Sequence, residues 1–196
     1  MDGKATIKRT TKETGIELSL VINGNGASEI KSGNGFMDHM LTLFARHGLF
    51  DLTIACKGDT EVDFHHSAED IGICLGMALA GALGDCKGIT RFGTAYVPMD
   101  EALARVCLDV SGRPNLEYKV DLVDRVINDF ECDLAEDFFK AVTDHAKMTL
   151  HIDLLRGRNS HHCLEAVFKA FGRALSQACA INPRAPGEIP TTKGVL

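Results

Sequence analysis

Two short stretches of the chain could do chemistry. His65-His66-Ser67-Ala68-Glu69-Asp70 and His161-His162-Cys163-Leu164-Glu165-Ala166 share the pattern HHxxE. An apolar run follows each, Ile71 to Leu83 and Ala166 to Leu175, so each reads as the opening turn of a helix. Residues four apart on a helix lie one above the other. His65 can therefore converge with Glu69, and His161 with Glu165, while His66 and His162 are turned away by about 100°. Imidazole plus carboxylate is a ligand set for Mn, Fe, Co, Ni or Zn. One pair of adjacent histidines is most often structural. Two copies in a chain with only 8 His point to metal.

Further ligands lie on the helix that precedes each copy, His39 in the first half and Asp137 in the second. Each half thus offers four groups: His65, His66, Glu69 and His39, then His161, His162, Glu165 and Asp137. Eight suffice for two metals with four protein ligands each, leaving open positions for substrate. The adjacent histidines diverge, so one of each pair serves a different ion, which could sit across a subunit boundary. His47 and His145 lie at helix ends, where the dipole favours an imidazolium, an adequate structural reason for both. Among the cations, Arg91, Arg113 and Lys193 each stand near glycine, where backbone can approach a phosphate. Lys169 lies one turn beyond Glu165.

These groups need elements to position them. Ala5–Thr11 and Ile16–Ile22 alternate as strands, with an Asn23-Gly24-Asn25-Gly26 turn behind them. Ser28–Lys31 reads as a short strand, Met37–His47 as a helix ended by Gly48, and Phe50–Cys56 as a strand. The second half retraces that order. Thr94–Pro98, Ala102–Val110 and Leu116–Val120 read as strands, with a longer loop near 121–133. Leu134–His145 follows as a helix and Thr149–Leu155 as a strand, and the second motif helix runs to about Cys179. Small changes of offset align Glu13 with Glu101, Leu20 with Leu108, His39 with Asp137, His47 with His145, and His65, His66 and Glu69 with His161, His162 and Glu165. Coincidence at several polar positions favours an internal duplication. The expected fold is α+β: two duplicated halves, each a mostly antiparallel β-sheet with helices packed on one face. The expected organisation is residues 1–88, residues 89–180 and a C-terminal tail, 181–196, in one compact domain.

Composition narrows the classes. At 196 residues, 45% hydrophobic and 24% charged, this is an ordinary globular chain. A net charge of -6 without basic clusters argues against nucleic acid. Seven scattered cysteines without a CxxC pair suggest a reduced, cytoplasmic chain. The polar start shows no signal peptide, and no apolar run reaches membrane-spanning length.

The motifs together carry a resemblance. Gly35-Phe36-Met37-Asp38-His39-Met40, the first HHxxED, Pro98-Met99-Asp100-Glu101-Ala102-Leu103-Ala104-Arg105 and Asp109-Val110-Ser111-Gly112-Arg113-Pro114 belong to it. So do Arg158-Asn159-Ser160-His161-His162, Glu165-Ala166-Val167-Phe168-Lys169-Ala170 and Pro190-Thr191-Thr192-Lys193-Gly194. Over nearly its whole length the chain resembles the imidazoleglycerol-phosphate dehydratase family, hydro-lyases of histidine biosynthesis. The resemblance implies a duplicated left-handed ββαβ-type half, two Mn per active site, no organic cofactor, and 24 subunits with active sites between them. It implies metal ligation by His39, His65, His66, Glu69, His161, His162 and Glu165. Asp137 stands where the family often has histidine; aspartate, a hard oxygen ligand, suits Mn. Substrate contact is expected from Glu13, His39, His47, His65, Glu69, Arg91, Arg113, His161, Lys169, Thr191, Thr192 and Lys193. Catalytic roles are expected for Glu13, Glu69 and Glu165, with Glu101 competing with Glu13 as acid/base. The implied reaction dehydrates imidazole glycerol phosphate to imidazole acetol phosphate through a metal-bound imidazolate and a diazafulvene. A metal-storing or metal-sensing oligomer and a dinuclear hydrolase are the alternatives. Storage has no use for the cations and the Thr-Thr-Lys-Gly tail, and a hydrolase would keep a metal-bound water as nucleophile.

Overall fold

The computed structural model describes residues 3–194. The first half runs β1 (Lys4–Thr10), β2 (Thr14–Val21), β3 (Ser28–Lys31), α1 (Gly35–Gly48), β4 (Asp51–Gly58) and α2 (His65–Leu83). The second begins with β5 (Phe92–Met99), β6 (Ala102–Asp109) and β7 (Asn115–Lys119). It then inserts a hairpin, β8 (Val126–Ile127) and β9 (Phe130–Glu131), and continues with α3 (Leu134–Ala146), β10 (Thr149–Arg156) and α4 (Ser160–Cys179).

Each half makes a four-stranded sheet, in the orders β1-β2-β4-β3 and β5-β6-β10-β7. Two strand pairs in each are antiparallel, and the last, β3 with β4 or β7 with β10, is parallel. A helical crossover joins the parallel strands, as parallel neighbours require. Both sheets are therefore mixed, mostly antiparallel and alike in topology, which is the expected α+β arrangement.

Period-two patterning gives each sheet one apolar face. Ile16, Leu18 and Leu20 of β2 are buried, as are Ala102, Ala104, Val106 and Leu108 of β6. Helices cover these faces: α2 lies on β1 and β2, α4 on β5 and β6. The helices then pair across the halves, α1 with α4 and α3 with α2, so the core lies between the two sheets. Glycine permits the close crossing. A Cβ on Gly76 would stand 2.6 Å from the Val142 carbonyl, and one on Gly172 2.6 Å from the Phe44 carbonyl. Those are equivalent positions in the two halves. Phe44, Phe139, Phe168 and Phe171 fill the space between the helices. Burying each of these rings contributes about 1.5–3 kcal/mol.

Three local expectations change. Gly48 does not end α1 through its own conformation; Leu49 takes the left-handed φ of 57° and its N–H caps Ala45. Gly48 is small because α4 passes close by: a Cβ there would meet the Phe50 ring and the Gly172 carbonyl. The loop near 121–133 contains the β8–β9 hairpin, held by Phe130 buried against Phe36 and Phe64. The tail is fastened from Ile181 to Pro190, with Ile181 bridging Ile89, the Gly88 N–H donating to the Glu188 carbonyl, and Arg91 donating to the Pro190 carbonyl.

Candidate metal centre

Both motifs sit on the first turn of their helices, and each is fixed by a side chain two residues before it. Asp63 accepts from the His65 N–H at 2.7 Å, and Asn159 from the His161 N–H at 3.0 Å. Capping of this kind satisfies otherwise unpartnered helix N–H groups and sets the first turn rigidly.

His39 of α1 meets the α4 motif. Its Nε2 lies 3.0 Å from Glu165 Oε1, and His161 Nε2 lies 3.0 Å from the same oxygen. The three ligand atoms fall within 4.8 Å of one another. Phe36 packs edge-on against the His161 ring at 5.2 Å and limits its rotation. Glu165 is 7% exposed, and the ammonium of Lys169 binds its other oxygen. Burial pushes the Glu165 carboxyl up, but the Lys169 ammonium and the two imidazole bonds outweigh it and hold the group at about 2. It is an anion whose lone pairs face two imidazoles. Two nitrogens and one carboxylate oxygen on this scale fit a divalent first-row ion.

His65, Glu69 and Asp137 gather less tightly. Asp137 of α3 faces α2, with Oδ2 3.8 Å from His65 Nδ1, and Glu69 is exposed. The contacts therefore cross between the halves, His39 lying with the second motif and Asp137 beside His65 of the first. Counting ligands half by half had assigned them the other way. A polar cavity of about 320 Å³ opens beside His65, with Asp63, Asp129 and Glu131 on its wall.

The second histidine of each pair does point elsewhere, and each is oriented by carboxylates. His66 Nδ1 lies 3.0 Å from Asp59, and its Nε2 is 3.9 Å from Glu13. His162 Nδ1 lies 2.9 Å from Glu101, and its Nε2 is 4.0 Å from Asp100. These carboxylates raise both imidazoles above the ordinary value. The bond to His162, with the backbone N–H groups of Asn159 and Arg158, holds Glu101 down at about 2. Glu101 is thus committed to anchoring, whereas the Glu13 side chain makes no hydrogen bond among the described residues. Sequence reading missed Asp59 and Asp100. The signal available was the offset that pairs Glu13 with Glu101, which places Asp100 beside the second motif.

The cations divide by task. Arg91 is fully engaged: Nε and Nη2 donate to Asp109 at 2.6 and 3.0 Å, and Nη1 to Pro190. It fixes the tail just before Thr191. Arg113 is exposed, its guanidinium donating to the Ser111 carbonyl alone among the described residues, and Lys193 is exposed on the tail. His47 differs from the expected helix-end imidazolium. Partial burial, then the charges of Lys169, Arg173 and Arg46, hold it below the ordinary value, so the neutral ring is favoured. His145 Nδ1 donates to the Ala141 carbonyl, 2.9 Å away. No helix among the described residues is long and apolar enough to cross a membrane.

Known proteins resemble this arrangement closely. Residues 32–175 match the family model of imidazoleglycerol-phosphate dehydratase. The imidazoleglycerol-phosphate dehydratase of Heliobacterium modesticaldum is 57% identical over 192 residues, covering 98% of each chain. That of Nitrosomonas eutropha is 53% identical, covering 98% of this chain and 99% of its own. The crystal structure of the Staphylococcus aureus enzyme superposes with a TM-score of 0.83 at 43% identity, covering 91% of this chain and 99% of that one. The Pyrococcus furiosus structure, in complex with (S)-C348, gives 0.81 at 37% identity, covering 97% of this chain and 100% of its own. The chain belongs to the imidazoleglycerol-phosphate dehydratase family, hydro-lyases of histidine biosynthesis.

Proposed function

We propose that the chain dehydrates imidazole glycerol phosphate to imidazole acetol phosphate at a dinuclear manganese site shared between subunits. One observation supports this reading above the others: His39 Nε2, His161 Nε2 and Glu165 Oε1 face a common point. One ion takes that set, and a second takes His65, Glu69 and Asp137. His66 and His162 complete the coordination of ions on neighbouring copies. This makes eight protein ligands for two Mn, without an organic cofactor, in a cytoplasmic assembly of 24 subunits. Residues 1–88 and 89–180 are two copies of one unit, and 181–196 form a substrate-binding tail.

The proton to be removed lies beside a hydroxyl rather than a carbonyl, so it is hardly acidic. Bound divalent ions would supply the positive charge that lets the substrate ring exist as its anion. Electron push from the ring expels the neighbouring hydroxyl, which takes up a proton from the acid/base group and leaves as water, and a diazafulvene remains. Loss of a proton from the next carbon gives the enol, which becomes the ketone. Glu13 carries the proton in this scheme, since its carboxylate is unengaged and near His66. Glu69 and Glu165 hold the ligand sets in place. Arg113, Lys193, Lys169, Thr191 and Thr192 hold the phosphate. Arg91 acts mainly by fixing the tail, and the neutral His47 ring borders the substrate.

Incubation with Mn²⁺ and imidazole glycerol phosphate tests the reading. The expected product is imidazole acetol phosphate, with no inorganic phosphate released and none of either in stripped protein. Phosphate release would favour a hydrolase, and tight metal uptake without turnover a storage role.

A further inference from the structure

Behind the first motif, two buried polar residues and a half-buried arginine form a trio that the second motif lacks. Thr14, 3% exposed, donates its hydroxyl to Asp70, 7% exposed. Arg9 Nη1 lies 2.6 Å from the same Asp70 oxygen. At the equivalent positions of the second half stand Ala102, Ala166 and Val97, all buried. The equivalence is seen in contacts as well as in the offset. A Cβ on Gly58 would meet Ser67 and Thr14, and one on Gly157 would meet Cys163 and Ala102. A buried ion pair rarely stabilises a fold more than well-packed apolar residues do. The second half folds the same way with the apolar set, so the fold does not account for the trio.

The trio sits under the turn that carries Glu13. The Thr11 N–H donates to the Thr14 carbonyl at 2.8 Å. The Thr11 hydroxyl accepts from the N–H groups of Glu13 and Thr14, at 3.1 and 2.9 Å. Thr14 then pins this turn to α2 through Asp70, the residue after Glu69. In the second half the pin is missing, and Glu101 has folded onto His162 Nδ1 and two backbone N–H groups. We propose that Asp70, Thr14 and Arg9 form a positioning network that fixes the Glu13 turn against α2 and so keeps the Glu13 carboxylate free beside His66. They are positioning residues, acting through Glu13, and the proposal rests on Glu13 as the proton carrier.

The test uses full-length Mn-loaded protein and the variants Thr14→Val, Thr14→Ser and Arg9→Val/Thr14→Ala/Asp70→Ala. The last copies the second half and guards against a folding failure caused by an unpaired Arg9. Thr14→Val and the triple variant are expected to lower kcat by about tenfold to a hundredfold, as small misplacements of a reacting group do. KM and metal content should stay unchanged, and Thr14→Ser should retain kcat. Amide hydrogen exchange at Glu13 and Thr14 should accelerate in Thr14→Val and the triple variant, in metal-free as well as loaded protein. Placed on Glu13→Gln, Thr14→Val should cost less than about twofold more, because the two act as a unit. An equal kcat loss in the Glu13→Gln background, or unchanged exchange at the turn, overturns the network. Full kcat in Glu13→Gln alone overturns the reading of Glu13 itself, whatever the exchange rates show.

Discussion

Glu165 and Glu69 occupy equivalent places on equivalent helices, and their surroundings differ in kind. Glu165 is buried between His39, His161 and Lys169, while Glu69 is exposed and stands apart from His65 and Asp137. Lys169 corresponds to Ile73, His39 to Asp137, and Arg113 to Asn25. A carboxylate out of water needs charged or hydrogen-bonding partners, and Glu165 has three, His39 from α1 and His161 and Lys169 from its own helix. The exposed one needs none. The two halves share one scaffold, down to Gly76 and Gly172 at the helix crossings, yet the second motif is held together by its neighbours and flanked by cations, whereas the first is open.

The largest effect should come from withdrawing metal. His66 and His162 point away from their own ligand sets, so in the proposed site each ion joins two subunits. Binding that exists only in the assembled state stabilises that state by mass action. Rigorous chelation should break a large particle into smaller, folded oligomers, and Mn²⁺ should rebuild it. Light scattering with elemental analysis is the check. A particle of unchanged mass without metal would mean that protein contacts alone hold it.

Next come the two glutamates. Glu165→Gln and Glu69→Gln should each lose metal and activity, by more than the roughly tenfold to hundredfold typical of outer-sphere changes. They should differ in the metal-free protein. Glu165→Gln leaves the Lys169 ammonium, 13% exposed, without its counter-ion, and should cost up to about 3 kcal/mol of unfolding free energy. Glu69→Gln should stay within about 0.5 kcal/mol. Urea unfolding and metal content by mass spectrometry decide it. Equal stability losses would show that preassembly carries no weight.

How much of this could be read in the sequence depends on the range of each interaction. His161 with Glu165 follows from one helical turn, whereas His65 and Glu69, at the same spacing, do not meet, and strand alternation places Ile16, Leu18 and Leu20 on the buried face. The repeat offset carried the topology of both sheets. It did not reveal that α1 crosses to α4 and α3 to α2, since that depends on packing between the halves. His39 and Asp137 were consequently counted with the wrong motifs. Asp59 and Asp100 escaped notice because they lie in loops and turns without periodicity. His47 departs from the helix-end expectation because the helix dipole is local, whereas what opposes it is burial first and then the charges of Lys169 and Arg173 on another helix.

A smaller effect should mark the cationic side. Arg113→Ala and Lys193→Ala should raise the KM for substrate while metal content holds. Loss of one hydrogen bond to a charged group costs about 1.5–3 kcal/mol, so the rise should be on the order of tenfold to a hundredfold. A phosphate-free analogue should be indifferent to both changes. An equal loss with that analogue would remove phosphate from their role.

The smallest change exchanges one ligand for its counterpart. Asp137→His gives the open set the residue that His39 gives the closed one. Asp137 Oδ2 is 3.8 Å from His65 Nδ1, so a ring at 137 falls within reach of the same point. Replacing a hard carboxylate by imidazole moves preference from Mn toward Zn, in line with ligand type and the divalent series. In a Glu165→Gln background, where only the open set remains intact, Zn²⁺ affinity should rise by about tenfold while Mn²⁺ affinity does not. Asp137 lies on α3 and faces α2, so the His39 set on α1 and α4 should not respond when Glu165 is present. Competition titration with a chromogenic chelator measures both. A matching rise for Mn²⁺ would mean that the aspartate is not a ligand. A response from the His39 set would mean that the two sets are coupled and that the contrast between an open and a closed motif is too simple.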